Sequence, residues 1–239
     1  MYGRKLTQDE WGALYDVNEV DTIVKRIKKG EVQIWARELC NIIPSGSSFI
    51  EVGCGTGISS LYLSKGNRKG YAIDYAESAV QIVKACTEML GVDLSVMKYD
   101  ATSNLPISGV DYIFQSGLLE HFTTEEQVDL LKKWKKSGKM MVSMIPNASS
   151  VPYRVGKAIM EENGTWAYGR ETPKSSMIPE FLDAGIKVVN EYSIGSQWAL
   201  NFLPEKHYLR KAYNRLLADG VDLDSMMQGY ILVTIGECY

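Results

Sequence analysis

Apolar positions follow two rhythms along this chain. Between residues 7 and 43 they fall on helical stripes, first Val20, Ile23, Val24 and Ile27, then Ile34, Trp35, Leu39 and Ile42. Pro44-Ser45-Gly46 closes that region. Short apolar runs then alternate with further helical stripes. The runs occupy residues 48–52, 70–74, 94–99, 110–115 and 139–145, the second following a turn at Gly66-Asn67 and the last stopped by Pro146. Helices are expected from Ile58 to about Lys65 and over residues 77–90, where Val80, Val83, Met89 and Leu90 precede Gly91. Another begins at Thr123 or Thr124, with Glu126 well placed in its first turn. Past Pro146 the pattern predicts a helix over 175–184, a sixth strand over 186–192 and a seventh over 230–235. A long insert, about residues 193–228, separates the last two strands.

Strand-helix alternation of this kind predicts an α/β fold with a mostly parallel, doubly wound sheet. No internal repeat and no low-complexity tract interrupts it.

Composition narrows the partners. At 239 residues the chain buries a sizeable core and suits one domain with insertions. Net charge is −3, which offers no basic field for nucleic acid. No apolar run reaches the roughly 18–20 residues of a membrane span, and residues 1–10 hold no apolar signal core. Cys40, Cys54, Cys86 and Cys238 are scattered, without a disulfide or zinc pattern. Asn163-Gly164-Thr165 matches a glycosylation acceptor, which without a secretory signal reads as chance. The expectation is a cytoplasmic enzyme or binding protein.

The chemistry starts at Phe49-Ile50-Glu51-Val52-Gly53-Cys54-Gly55-Thr56-Gly57, a strand, a glycine turn and a helix start. Glycine tolerates positive φ and lets the backbone approach a ligand closely. In open α/β sheets such turns meet nucleotide-like ligands at the strand's carboxyl end. The register selects among nucleotides. A dinucleotide fingerprint needs its third glycine where Ile58 stands, and no Gly-Lys-Ser/Thr run follows for a phosphate loop. The spacing Glu51-x-Gly53-x-Gly55-x-Gly57 resembles instead the first motif of the class I S-adenosylmethionine-dependent methyltransferases. Asp74, Asp100 and the Leu119-Glu120-His121 segment follow in matching order, so the resemblance covers about residues 48–145. It implies a Rossmann-like, seven-stranded sheet whose last strand is antiparallel. It also implies a division of the single domain 1–239 into an N-terminal helical cap (1–45), a cofactor-binding core (46–145) and substrate-side inserts with the last strands (146–239).

The cofactor implied is S-adenosyl-L-methionine. Asp74 at the second strand's tip suits the ribose hydroxyls, its alternative role being a helix cap. Tyr75 joins it. Asp100 and Ala101 stand at the family's adenine-contacting position, where Asp100 is otherwise a turn acid. Gly53 and Gly55 would cradle the methionine end, with Gln115 and Ser116 lining the sulfonium side. Three acids, Glu51, Asp74 and Asp100, suit a cationic ligand. Glu51 serves equally well as an organiser of the glycine loop.

The acceptor side is read from outside the core. His121, beside the cofactor, is either a general base or a packing and hydrogen-bonding residue. His207 is an exposed helix residue or part of a substrate lid. Trp166, Tyr168 and Arg170 lie in a connection too long for plain turn duty, so they and Tyr153 are candidates for substrate contact. Alternatively, the aromatics cover a core edge. Trp11 and Tyr15 either close the pocket from the N-terminus or pack in the core. Lys206, Arg210, Lys211 and Arg215 share a helical face, normally solvated but suited to an anionic acceptor.

Several chemistries are disfavoured. Gln115-Ser116-Gly117-Leu118 does not match the Pro-Pro-aromatic motif of nucleic-acid amino-methylating enzymes, and no Pro-Cys nucleophile occurs. Asp111 starts its strand at the wrong end for a metal site, so no metal is expected. The reading is methyl transfer to a small-molecule acceptor, at oxygen in preference to nitrogen. An inactive binding protein of the same fold is the alternative, with a nicotinamide oxidoreductase disfavoured by the glycine register.

Overall fold

The computed structural model describes residues 4–239. Residues 1–3, the start of the expected cap, lie outside the described residues. In chain order the elements are α1 (Gln8–Gly12), α2 (Val20–Lys29), α3 (Ile34–Ile42), β1 (Ser48–Val52), α4 (Ile58–Lys65), β2 (Lys69–Asp74) and α5 (Glu77–Leu90). Then come β3 (Leu94–Lys98), β4 (Val110–Ser116), α6 (Thr124–Trp134), β5 (Gly138–Pro146), α7 (Val151–Glu162) and α8 (Ile178–Asp183). The chain finishes with β6 (Ile186–Ile194), α9 (Ser196–Ala199), α10 (Tyr208–Ala218), α11 (Leu223–Met226) and β7 (Ile231–Cys238).

The seven strands form one sheet in the order β3-β2-β1-β4-β5-β7-β6. β1 pairs in parallel with both β2 and β4, while β7 runs antiparallel between β5 and β6. The mostly parallel sheet with an antiparallel last strand is thus as expected. The inner strands are buried on both faces, which explains their unbroken apolar runs. Phe49, Phe114 and Val142 turn toward α2–α5, and their neighbours Ile50, Ile113 and Met141 turn toward α6 and α8. The strand order reverses between β1 and β4, and their carboxyl ends open the crevice where ligands bind in such sheets.

Three elements differ from the sequence pattern. The stretch 7–43 is broken rather than continuous. Gly30, at φ 71°, ends α2, and an extended Gln33 precedes α3. The helix expected over 175–184 is shorter, starting at Ile178 with Pro179 in its first turn. α7 was not foreseen. Its buried face is Pro152, Tyr153, Gly156 and Lys157, which carries no apolar stripe. Gly156 is there because the backbone of Phe202 crosses it, and a Cβ would stand 2.5 Å from that carbonyl oxygen. Thr123 caps α6 in a reciprocal capping box with Glu126, as the pattern suggested.

Candidate active site

β1 runs into a turn where Gly53, Gly55 and Gly57 all hold positive φ, at 69°, 51° and 64°. The turn folds back onto β2. The N–H groups of Gly53 and Cys54 donate to the Ile73 carbonyl at 2.9 and 3.0 Å, and that of Gly55 donates to Asp74 Oδ2 at 2.9 Å. A Cβ on Gly57 would stand 2.6 Å from Val83 of α5, so this glycine serves packing. A Cβ on Gly55 would come within 3.2 Å of the Tyr15 hydroxyl, so this glycine lets Tyr15 pack directly on the turn.

A cavity of about 260 Å³ lies beside Gly53 and Tyr15, at the carboxyl ends of the strands. Gly53, Asp74 and Tyr75 line it from β1 and β2, Asp100 and Ala101 from the end of β3, and Gly117, Leu118 and His121 from the segment after β4. The N-terminal segment roofs it with Leu6, Gln8, Trp11 and Tyr15, and Arg170 stands at the rim. The roof is pinned by three hydrogen bonds. Gln8 Nε2 donates to the Tyr75 carbonyl at 2.7 Å, Ser78 Oγ to the Gly12 carbonyl at 2.8 Å, and the Arg170 N–H to the Arg4 carbonyl at 3.0 Å. Thr7 and Glu10 hold α1 in a capping box. That Thr-x-x-Glu spacing was the unused sequence signal for this roof.

Asp74 is 4% exposed, so a strand-tip position here is a buried one. Its Oδ1 accepts from the Ala76 N–H and its Oδ2 from the Gly55 N–H, both at 2.9 Å, while burial raises its pKa. Asp74 therefore organises the turn as well as facing the cavity. Asp74→Ala is expected to weaken binding of S-adenosylhomocysteine by ~1–3 kcal/mol and also to lower thermal stability, because two buried N–H groups lose their acceptor. Calorimetry and thermal melts measure the two effects, and a fully stable variant would show that the turn holds itself.

Glu51 points toward α4, away from the cavity lining. Its Oε2 accepts from the N–H and the hydroxyl of Ser60. Burial pushes its carboxyl up to about 8, partly offset by the Ser60 hydrogen bonds and reinforced by the nearby Asp74 charge. A carboxyl raised on folding binds its proton more tightly in the native state. Its stabilisation is complete below the ordinary value of 4.5 and is lost as pH climbs through about 8. The pH dependence of the melting midpoint over that window is expected to flatten in Glu51→Gln.

Asp100 accepts from the N–H and hydroxyl of Thr102, at 2.9 and 2.8 Å, and leaves its other oxygen toward the cavity rim. Gln115 departs from expectation. It is 1% exposed, and its amide donates to Ser143 Oγ while its oxygen accepts from the Leu118 N–H. It shapes the post-β4 loop instead of lining the cavity, as does Ser116, and Gly117 and Leu118 take the lining positions.

His121 does line the cavity, its ring edge-on to Trp11 at a centroid distance of 4.8 Å. Nδ1 lies 2.9 Å from the Arg170 carbonyl. A carbonyl only accepts, so Nδ1 carries the proton and Nε2 of the neutral ring is a bare acceptor. Burial lowers the His121 pKa, which keeps the ring neutral.

The other acceptor-side candidates sit elsewhere. Tyr153 is 1% exposed and donates its hydroxyl to Glu171. Trp166 lies under the Lys157 ammonium, 3.8 Å from ring centre to Nζ, and its outer edge faces a shallow groove with Arg4 and Gly169. Tyr168 packs on Trp166 and is half exposed. His207 caps α10, Nδ1 accepting from the Leu209 N–H at 3.3 Å, because its place just before the helix leaves that donor free. Lys206 precedes α10, and Arg210 of its basic face lines a separate cleft with Trp198 and Asp224, so this face does not wall the cavity. Lys5, Leu6, Gln8 and Phe122 line it unforeseen. Among the described residues no three or more His, Cys, Asp or Glu side chains cluster as for a metal ion, and no helix is long and apolar enough to cross a membrane.

Comparison with known proteins gives this geometry a context. Residues 49–139 match a family model described as a methyltransferase domain. A phosphoethanolamine N-methyltransferase of Zea mays is 30% identical over 109 residues, 42% of this chain and 22% of that protein. The chain thus spans about a fifth of that relative's length. Among solved structures, an S-adenosylmethionine-dependent methyltransferase from Aquifex aeolicus superposes with a TM-score of 0.57 at 17% identity, covering 90% of this chain and 98% of that one. A chain from a complex of the Haloferax volcanii Trm112 methyltransferase activator with a methyltransferase gives 0.63 at 20% identity, covering 92% and 96%. Magnesium protoporphyrin IX methyltransferase of Synechocystis, solved with bound S-adenosylhomocysteine, gives 0.55 at 16% identity, covering 93% and 83%.

Proposed function

We propose that this chain, a member of the class I S-adenosylmethionine-dependent methyltransferases, carries a methyl group from S-adenosyl-L-methionine to a small-molecule acceptor, at oxygen in preference to nitrogen. One observation carries the reading. A single cavity joins the glycine turn and two strand-tip acids to a histidine whose Nε2 is free to take a proton.

The residues present fit the cofactor. Gly53 lines the cavity beside Tyr15 and offers bare backbone to the methionine moiety, while Gly55 lets Tyr15 close down on the turn. Asp74 has carboxylate lone pairs for the ribose hydroxyls beyond its two backbone bonds. Asp100 and the Ala101 backbone stand where adenine would lie. The acids at Asp74 and Asp100 on the cavity wall suit a cationic ligand, while Glu51 braces the turn through Ser60. S-adenosylmethionine, held by Gly53, Asp74 and Asp100, would supply an electrophilic methyl group to the acceptor oxygen, with the C–S electron pair left on sulfur and the hydroxyl proton left to be taken up. His121 Nε2 takes that proton. Trp11 and Tyr15 exclude water above the reacting atoms, where alignment and desolvation contribute up to ~7–11 kcal/mol.

In this reading residues 1–239 act as one domain in the cytoplasm. The first 45 form the cap, 46–145 hold the cofactor, and 146–239 carry the substrate-side inserts. The acceptor is a small molecule, not nucleic acid.

Titration calorimetry tests the cofactor. S-adenosylhomocysteine is expected to bind in the micromolar range and NAD to give no heat, and the reverse result overturns the reading. Transfer of labelled methyl to a panel of small hydroxyl and amine compounds tests the acceptor atom. Binding without transfer to any compound would favour a protein that keeps the cofactor and has lost catalysis.

A further inference from the structure

Glu120 is a buried acid behind the cavity wall that the proposed reaction has not used. It sits in the short turn after β4, immediately before His121, with its side chain 5% exposed. Its Oε1 is 4.0 Å from His121 Nε2 and 3.6 Å from where a Cβ of Gly117 would stand. Gly117 lines the cavity, so the carboxyl lies directly behind the wall at that glycine. Its Oε2 is buried and has no hydrogen-bond partner among the described residues. A buried polar atom left without a partner costs roughly 1–3 kcal/mol, so it calls for an explanation.

The surrounding charges do not supply one. Lys157 of α7 places Nζ 2.9 Å from Glu171 Oε2, and the Tyr153 hydroxyl donates to that same oxygen. The same ammonium lies 3.3 Å from Glu161 Oε1, so it pairs with Glu171 and Glu161. Tyr230, just before β7, is near enough to Glu120 to feel its charge. Around His121 stand Glu171 and Lys157, Lys5 of the roof, and the carbonyl of Arg170. Lys157 therefore pairs with two other carboxyls, and Glu120 stands 4.0 Å from the His121 imidazole.

We propose that Glu120 and His121 form a charge-coupled pair at the cavity wall, in which the Glu120 carboxylate supplies the charge that lets His121 accept the acceptor's proton. The inference rests on the base role given to His121 above. Burial and Glu171 hold the Glu120 carboxyl protonated well above the usual carboxylate range, while burial holds His121 neutral. The resting pair therefore carries one proton, on Glu120. When the pair loses it, Glu120 becomes an anion beside a bare Nε2. A proton then taken from the acceptor at Nε2 makes an imidazolium 4.0 Å from a carboxylate. Attraction at that distance is screened little in a buried site. Such a pair titrates in two macroscopic steps that belong to both groups.

The chain has only two histidines, so the imidazole resonances of His121 and His207 are separable, and His121→Asn assigns them. In the wild-type protein without cofactor, the His121 resonance is expected to titrate in two steps. In Glu120→Gln it should titrate in one step, at lower pH than the wild-type midpoint. The rising limb of kcat should shift to lower pH in the same variant, with a plateau about tenfold lower, the factor that one pKa unit of coupling represents. KM and S-adenosylhomocysteine affinity should stay unchanged. A single-step wild-type titration overturns the pair, and needs no variant to fold. So does a Glu120→Gln titration identical to wild type. If His121→Asn keeps full turnover while the two-step titration stands, the base role fails and the pair survives.

Discussion

Replacing Gly55 by valine is expected to abolish detectable binding of S-adenosylhomocysteine while leaving a folded chain. Two effects add. At φ 51° a side chain costs roughly 1–2 kcal/mol for an ordinary residue, and more for a β-branched one. The new Cβ would stand 3.2 Å from the Tyr15 hydroxyl, and the two methyl groups beyond it would push Tyr15 from its place over the cavity. Relieving the strain by shifting the turn would break the Gly55 N–H bond to Asp74, the contact that holds the acid in place. Cofactor affinity is expected to fall by at least ~100-fold, about 2.7 kcal/mol, beyond the reach of ordinary calorimetry. Retained micromolar binding would mean that the cavity beneath Tyr15 is not where the methionine moiety lies.

His121→Gln is expected to lower kcat by ~10²–10⁴-fold, the range of a positioned general base, with cofactor affinity nearly unchanged. Glutamine keeps a donor for the Arg170 carbonyl and comparable bulk against Trp11, so packing loss is limited. It has no basic nitrogen to take a proton. The deficit should shrink for acceptors whose hydroxyl is already acidic, because those need less help in losing their proton. A uniform small effect across such a series would assign His121 to packing under the cofactor.

How far the sequence announced this site depended on what each feature required of its neighbours. The glycine turn was legible because three positive-φ positions in one register demand a residue type that nothing else supplies. Asp74 and Asp100 were legible by order, each closing a strand before a helix or turn. The antiparallel β7 followed from the family resemblance alone, since the 193–228 insert hides any crossover. α7 escaped because the side chains it buries include a glycine and a lysine, which break apolar periodicity. Lys157 is buried because Glu171 and Trp166 meet it from the segment that follows its helix. Trp166 and His207 were assigned to the acceptor from their place in long connections. Position along the chain could not show that one would lie under an ammonium and the other cap a helix. Gln115 belongs with them. A polar residue at a strand end can serve a ligand or its own loop, and the choice is made by Ser143 on the adjacent strand.

The pinned roof over the cavity has a kinetic consequence. Its three hydrogen bonds at Gln8, Gly12 and Arg4 must part before anything as large as a nucleoside passes. At a net ~1 kcal/mol each, opening costs about 3 kcal/mol, so the doorway stands open on the order of 1% of the time. Entry and departure are slowed together by about a hundredfold, which leaves affinity for the closed form intact but lengthens each visit. A spent cofactor trapped under such a roof would set the pace of turnover, and chemistry would wait on a latch built from Tyr75, Ser78 and Arg170.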